Sequence, residues 1–275
     1  MTQILFANAA LVDAALPERR EGHHVLVEGE LIREVSDRPI KAANATLIDL
    51  AGRTLMPGLI DAHVHAIAVT TDLPALARMP PSLVTARALI ILEGMLARGF
   101  TTVRDAGGAE WGLAEAIRRG YSPGPRMFVS GLALAQTGGQ GDFRGREELY
   151  LGCPVCRAVR TISRVVDGVD DVRKAVRDEL RKGADQIKVM AAGGMVSGIP
   201  IDRAHYSLDE LRVMVDEAQA AGTYVMAHAY ESAAVSRCVE CGIRSIEHGN
   251  LIDEATARLM VERGTFLVPT MAVYE

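Results

Sequence analysis

The chain has no basic excess: 30 Lys and Arg face 35 Asp and Glu, for a formal net charge of −5 over 275 residues. No cationic field is left to hold a nucleic-acid backbone. It also has no apolar run approaching the ~18 residues of a membrane-spanning helix. The N-terminus lacks a basic flank followed by an uninterrupted apolar stretch, and Asp13 breaks the one candidate run. A signal peptide is therefore not expected, and cytoplasmic is the default location. Cysteine is scarce, confined to Cys153-Pro-Val-Cys156 and Cys238-Val-Glu-Cys241. The two pairs lie much farther apart than the halves of a zinc ribbon, so reduced thiols are expected. No Gly-x-Gly-x-x-Gly follows an early apolar segment, which removes the signature of an open dinucleotide-binding sheet. What remains, 49% hydrophobic and 24% charged, can bury a large core and suits a soluble enzyme more than a binding tail.

Two histidines separated by one residue, His63 and His65, close the apolar segment LMPGLIDAHVHA. In a β-strand residues i and i+2 face one side, so both imidazoles aim into the same space and offer a metal two nitrogens. Nearby histidines also occur as ordinary packed or surface side chains, and the pair alone leaves both readings open. Three later apolar segments repeat the shape, each around one ionisable residue: Lys188 in QIKVMAAGG, His228 in YVMAHAY and His248 in SIEHGN. One buried His or one strand Lys would be ordinary. Four similar segments are harder to dismiss as ordinary.

Between these segments the apolar spacing turns helical, as with Val172, Ala175, Val176 and Leu180, or with the stretch that follows Ser207 as N-cap. The pattern predicts strands near 55–65, 100–105, 126–135, 185–191, 223–229, 243–248 and 265–270. Helices are predicted near 83–98, 110–119, 169–182, 207–221, 230–241 and 253–263. Strand then helix, repeated, predicts a parallel α/β sheet, and seven such strands suit a (β/α)-barrel short of its last unit. The candidate residues then fall at the C-terminal ends of strands, where barrel active sites are built. Gly107-Gly108, Gly138-Gly139 and Gly193-Gly194 read as turn glycines opening βα loops. Residues 1–54 have a different texture, alternating apolar and polar over Ile4–Val12, His24–Ile32 and Thr46–Leu55, and read as a separate small β-meander. His23 and His24, after the charged turn Glu18–Glu21, read as solvated surface residues.

Taken together, MPGLIDAHVH, IKVMAAGG, AHAY and EHGN resemble the amidohydrolase superfamily of metal-dependent hydrolases, and within it the prolidase-like dipeptidases and carboxypeptidases that cleave Xaa-amino acid amide bonds. The likeness runs from about Asn8 to the C-terminus. It implies a (β/α)8 TIM-type barrel over 55–275, incomplete here with about seven strands, and a small N-terminal β-sandwich portion over 1–54. It implies that His63 and His65 bind one metal, that His228 and His248 bind a second, and that Lys188, carboxylated by CO2, bridges them. The expected cofactors are two divalent ions, zinc foremost. A buried Lys readily lowers its pKa, which frees the amine for that carboxylation. The reaction implied is amide hydrolysis by metal-activated hydroxide.

The resemblance also places Tyr230 beside the scissile carbonyl as an oxyanion donor, the alternative being a Tyr that caps the βα loop. Gln140 departs from the pattern, since His is expected there to meet a substrate carboxylate. Gln donates a hydrogen bond but no charge. Arg144 could supply that charge, or stand as an exposed loop residue. The superfamily takes an Asp from the end of an eighth strand as ligand and general base, a position beyond the seven strands read here. Asp61 and Asp105 match earlier motifs and read as capping or supporting groups. The chain therefore reads as a truncated version of a longer hydrolase. Other readings are a cyclic amide or imidazolone hydrolase, a deaminase that Lys188 argues against, and an inactive truncated barrel. Expected partners are a small-molecule or dipeptide substrate, with no nucleic acid, no membrane and possible self-association.

Overall fold

The computed structural model describes residues 2–13, 16–144, 162–195 and 198–271. The chain divides into two compact units, Met1–Gly58 and Leu59–Glu275. No helix among the described residues is long and apolar enough to cross a membrane.

The first unit is a sheet of β1 (Gln3–Asp13), β2 (Leu16–Glu28), β3 (Leu31–Ser36), β4 (Thr46–Asp49) and β5 (Thr54–Leu55). It differs from the expected meander in three ways. β1 pairs antiparallel with β2, but β4 and β5 both pair with β1 in parallel, because the chain after β3 crosses back to β1 instead of turning beside β3. The expected strand His24–Ile32 is split by a turn at Gly29, whose φ of +59° only a residue without Cβ adopts freely. The charged stretch Glu18–Glu21 lies inside β2, with Arg20 held by Asp13 at 2.6 Å, so His23 and His24 are half-buried strand residues and do not follow a turn. Ala9, Leu11 and Val25 form the small core of this unit.

The second unit alternates strand and helix. Its strands are β6 (Leu59–Val64), β7 (Phe100–Asp105), β8 (Arg126–Phe128), β9 (Ala133–Ala135), β10 (Ser163–Val165), β11 (Ile187–Met190), β12 (Ala192–Gly194), β13 (Ile199–Ala204), β14 (Val225–Glu231), β15 (Ser245–Leu251) and β16 (Phe266–Val268). Its helices are α1 (Leu73–Leu76), α2 (Pro81–Ala97), α3 (Trp111–Arg118), α4 (Val169–Arg181), α5 (Leu208–Ala220), α6 (Ser232–Glu240) and α7 (Glu254–Arg263). Local chemistry sets the helix ends. Ser207 and Glu210 form a reciprocal capping box on α5, Asp253 caps α7, and Gly264 ends it in the left-handed conformation. The longer helices bury one stripe, such as Val84, Ala88, Leu92 and Met95 of α2 or Val172, Ala175 and Val176 of α4.

Parallel pairings run β6 to β7 to β8, and β9 to β11 to β14 to β15 to β16. The single strand expected over 126–135 is two strands, β8 and β9, separated by residues 129–132 and paired in different sheets. Bonds across the interior show that this array curves strongly. Arg104 on β7 reaches Ser245 and Glu247 on β15, and His63 on β6 also reaches Glu247, 184 residues away in sequence. The short strands β10, β12 and β13 were not foreseen from the sequence pattern. Cys153 and Cys156 lie outside the described residues. Cys238 and Cys241 are buried free thiols, and burial pushes Cys238 up to about 12.

Candidate active site

The four candidate histidines converge from β6, β14 and β15 of the second unit, with His228 and His248 in mid-strand and not at the strand ends expected from the sequence. His63 and His65 leave the end of β6 with ring centroids 5.3 Å apart. His228 on β14 and His248 on β15 stand 4.5 Å apart, and His63 lies 5.0 Å from His248. Lys188 on β11 is buried, and its Nζ has no hydrogen-bond partner. Burial pushes the Lys188 amine down to about 8, with Arg104 adding to the effect and Glu247 and Asp105 opposing it. Burial likewise holds all four histidines below their ordinary range, His248 at about 2, and the lysine's charge contributes to each of them. Four neutral imidazoles therefore share their space with one amine that has no hydrogen-bond partner. No group of three His, Cys, Asp or Glu side chains among the described residues is arranged to hold a metal by itself. A lysine is what these histidines share.

Each imidazole has one nitrogen engaged. Nδ1 of His63 meets Glu247 Oε2 at 2.7 Å, Nδ1 of His65 meets the Gly107 carbonyl at 3.0 Å, and Nδ1 of His248 meets Thr270 Oγ1 at 2.6 Å. In His228 it is Nε2 that meets the Gly193 carbonyl, at 3.1 Å. Nε2 of three rings and Nδ1 of the fourth remain for another ligand. Asp105, fully buried, accepts from the backbone N–H groups of Ala66, Gly107 and Ala109 at 2.7–3.1 Å. It thereby fixes the loop whose Gly107 carbonyl orients His65. Asp61 accepts the His63 backbone N–H at 3.0 Å, a local cap.

Two backbone features make room for this arrangement. His248 has φ +76°, a left-handed conformation that costs a non-glycine residue about 1–3 kcal/mol. It lets the neighbours Glu247 and His248 both reach His63, which a regular strand would prevent by alternation. Gly193 and Gly194 are not turn residues: they form β12, and a Cβ on Gly194 would lie 2.7 Å from His228 Nε2 and 3.0 Å from Gln140 Cδ. The expectation of a simple βα turn is corrected here, because the glycines allow a second backbone to approach the site.

Tyr230 is buried, stacked on His248 at 4.7 Å and edge-on to His228 at 5.1 Å. Gln140 is buried beside Gly194, and its Oε1 has no partner. Arg144 is not an exposed loop residue. It is half-buried and grips Asp142 through Nε and a terminal nitrogen, each at 2.6 Å. The sequence reading missed Arg104, Glu247 and Ser245, and also His205, which is buried with its Nδ1 3.3 Å from the carbonyl of Met190 on β11. A charged residue in the middle of each buried strand was the available signal for Arg104 and Glu247. His205 follows β13, a strand that the pattern did not reveal.

Comparison with known proteins gives a consistent picture. The amidohydrolase family model matches residues 54–275. Ochratoxinase from Aspergillus niger is 33% identical over 259 residues, covering 87% of this chain and 52% of that protein. A prolidase solved in complex with N-methylphosphonate-L-proline superposes with a TM-score of 0.95 at 53% identity, covering 98% of this chain and 66% of the other. A Xaa-Pro dipeptidase with methionine bound in its active site superposes with a TM-score of 0.84 at 27% identity, covering 98% of this chain and 67% of the other. The chain thus spans about half the length of the curated relative and two thirds of the solved ones.

Proposed function

This chain belongs to the amidohydrolase family, and from that premise we propose that it is the core of a two-metal hydrolase of amide bonds, acting on dipeptides or N-acyl amino acids. The observation that carries the reading is the buried, unpartnered Lys188 Nζ among four neutral histidines. The donor set fits such a centre. Metal-bound histidines characteristically donate their second ring nitrogen to a carboxylate, carbonyl or similar acceptor, and all four rings here have such a partner. His63 and His65 would hold one divalent ion, zinc in our reading, and His228 and His248 the other, with carboxylated Lys188 serving both. When bound, such ions polarise a carbonyl oxygen and lower the pKa of water towards neutrality. β6, β7, β8 together with β9, β11, β14, β15 and β16 are read as the first seven strands of an eight-stranded barrel.

The chain's own residues divide the remaining work. Tyr230, packed on His228 and His248, donates a hydrogen bond from its phenol O–H to the oxygen that gains charge as the scissile carbonyl becomes tetrahedral. Replacing Tyr230 with Phe is expected to lower kcat about 100- to 1000-fold, the usual loss for one such donor, with metal content unchanged. Equal losses of metal and turnover would instead mean that the ring only supports the histidines. Gln140 orients the substrate through its amide and adds no charge, so a carboxylate on the leaving amino acid is held by hydrogen bonds alone.

Metal content tests the reading most directly, because the five residues named are the ligands it proposes. Purified with zinc and bicarbonate, the chain is expected to carry about two ions. Xaa-Pro dipeptides and N-acyl amino acids are the substrates to try first. A chain that takes up no metal under these conditions would overturn the proposal.

A further inference from the structure

Glu247 is fully buried and its carboxylate is completely spoken for. Oε1 accepts from an Arg104 terminal nitrogen at 2.7 Å and from Ser245 Oγ at 2.6 Å, and Oε2 lies 2.7 Å from His63 Nδ1. Arg104 is itself fixed on several sides, donating to the Ala62 carbonyl at 2.8 Å and to Tyr224 Oη at 3.2 Å. One guanidinium and one carboxylate thus tie β6, β7 and β15 together across the interior.

We propose that Arg104 and Glu247 are positioning residues that set the tautomer and ring orientation of His63. The carboxylate can only accept, so the His63 ring must carry its proton on Nδ1, and Nε2 is left bare to face the cluster. Arg104 and Ser245 saturate Oε1, so only Oε2 is offered to the imidazole. The strut reaches His63 from the interior and needs no strand on the other edge of β6. It therefore preorganises that side of the site within these residues alone. His65 is oriented separately, by the Gly107 carbonyl.

The substitution Glu247→Gln reverses the instruction with little change of shape. Donors from Arg104 and Ser245 keep the amide oxygen on their side, so the amide NH2 turns to His63, which must accept on Nδ1 and carry its proton on Nε2. The test is long-range 1H–15N NMR of histidine-labelled, metal-free protein, with the His63 signals assigned by their loss in His63→Asn. The wild type is expected to show His63 as the Nδ1–H tautomer and Glu247→Gln as the Nε2–H tautomer, while His65 stays unchanged. Arg104→Met/Glu247→Leu, which leaves no buried charge behind, serves if Glu247→Gln fails to fold; it is expected to melt near the wild type and to lose the fixed Nδ1–H signal.

The second readout rests on the two-metal reading. Titration with Co(II), followed by its visible d–d bands, is expected to show affinity about 10- to 100-fold weaker in Glu247→Gln than in the wild type. A wild-type His63 protonated on Nε2, a tautomer indifferent to residue 247, or equal cobalt affinities would overturn the strut. If the wild type takes no cobalt and the tautomer still switches, the metal reading fails and the strut stands.

Discussion

Replacing Lys188 is expected to abolish two-metal binding while making the metal-free protein more stable. The two effects have one cause. The amine sits fully buried without a partner, and burial pushes its pKa down to about 8, against roughly 10.4 in an unfolded chain. Between those values the unfolded state binds the extra proton, so stability rises with pH across the window from about 8 to 10.4. Below about pH 8 both states are protonated and the full penalty remains, on the order of 3 kcal/mol. Lys188→Met keeps most of the volume and removes the charge. In bicarbonate-free buffer it should therefore resist urea better than the wild type at pH 7, with the advantage shrinking towards pH 10.5. Lys188→Ala leaves a gap instead, and short carboxylic acids should restore part of the metal binding by occupying the place of the carbamate. Parallel curves of stability against pH for Lys188→Met and the wild type would show that the ammonium is not held at a cost.

The largest loss of stability is expected from Arg104→Met. Its partner Glu247 is fully buried, so the variant leaves a carboxylate inside the protein with only the Ser245 hydroxyl and a neutral imidazole beside it. Breaking one side of a buried ion pair costs about 3–5 kcal/mol, whereas replacing both sides with apolar groups of similar volume is close to neutral. The single variant should melt far below the wild type, and Arg104→Met/Glu247→Leu should recover most of the difference. A matched control is Arg118→Met, which removes one of two arginines on Glu115 at the surface and should barely move the melting curve. If Arg104→Met and Arg118→Met behave alike, water reaches Glu247 and the interior is not dry.

How much of this was legible beforehand depends on the range over which each residue acts. Strand and helix positions in the second unit were readable because periodicity is local: the apolar stripe of α4 or the capping box of α5 is written within a few residues. The first unit misled because strand direction is not written in alternation. Thr46–Asp49 reads equally well as antiparallel or parallel, and only its pairing with β1 decides. Arg144 read as exposed because nothing in the sequence shows the burial of the loop that carries it.

The sequence alone determined that His63, His65, Lys188, His228 and His248 lie on or just past strands of the second unit, since apolar spacing marks β6, β11, β14 and β15. The tertiary structure decided how they are held. Arg104, Glu247 and His63 come from three strands, two of them 184 residues apart in contact, and they meet only because the array curves. The left-handed backbone at His248 and the close approach of Gly194 to His228 are likewise products of packing. Hydrogen bonds and excluded volume act through space, and a local pattern of apolar and polar residues carries no record of which distant segment will arrive.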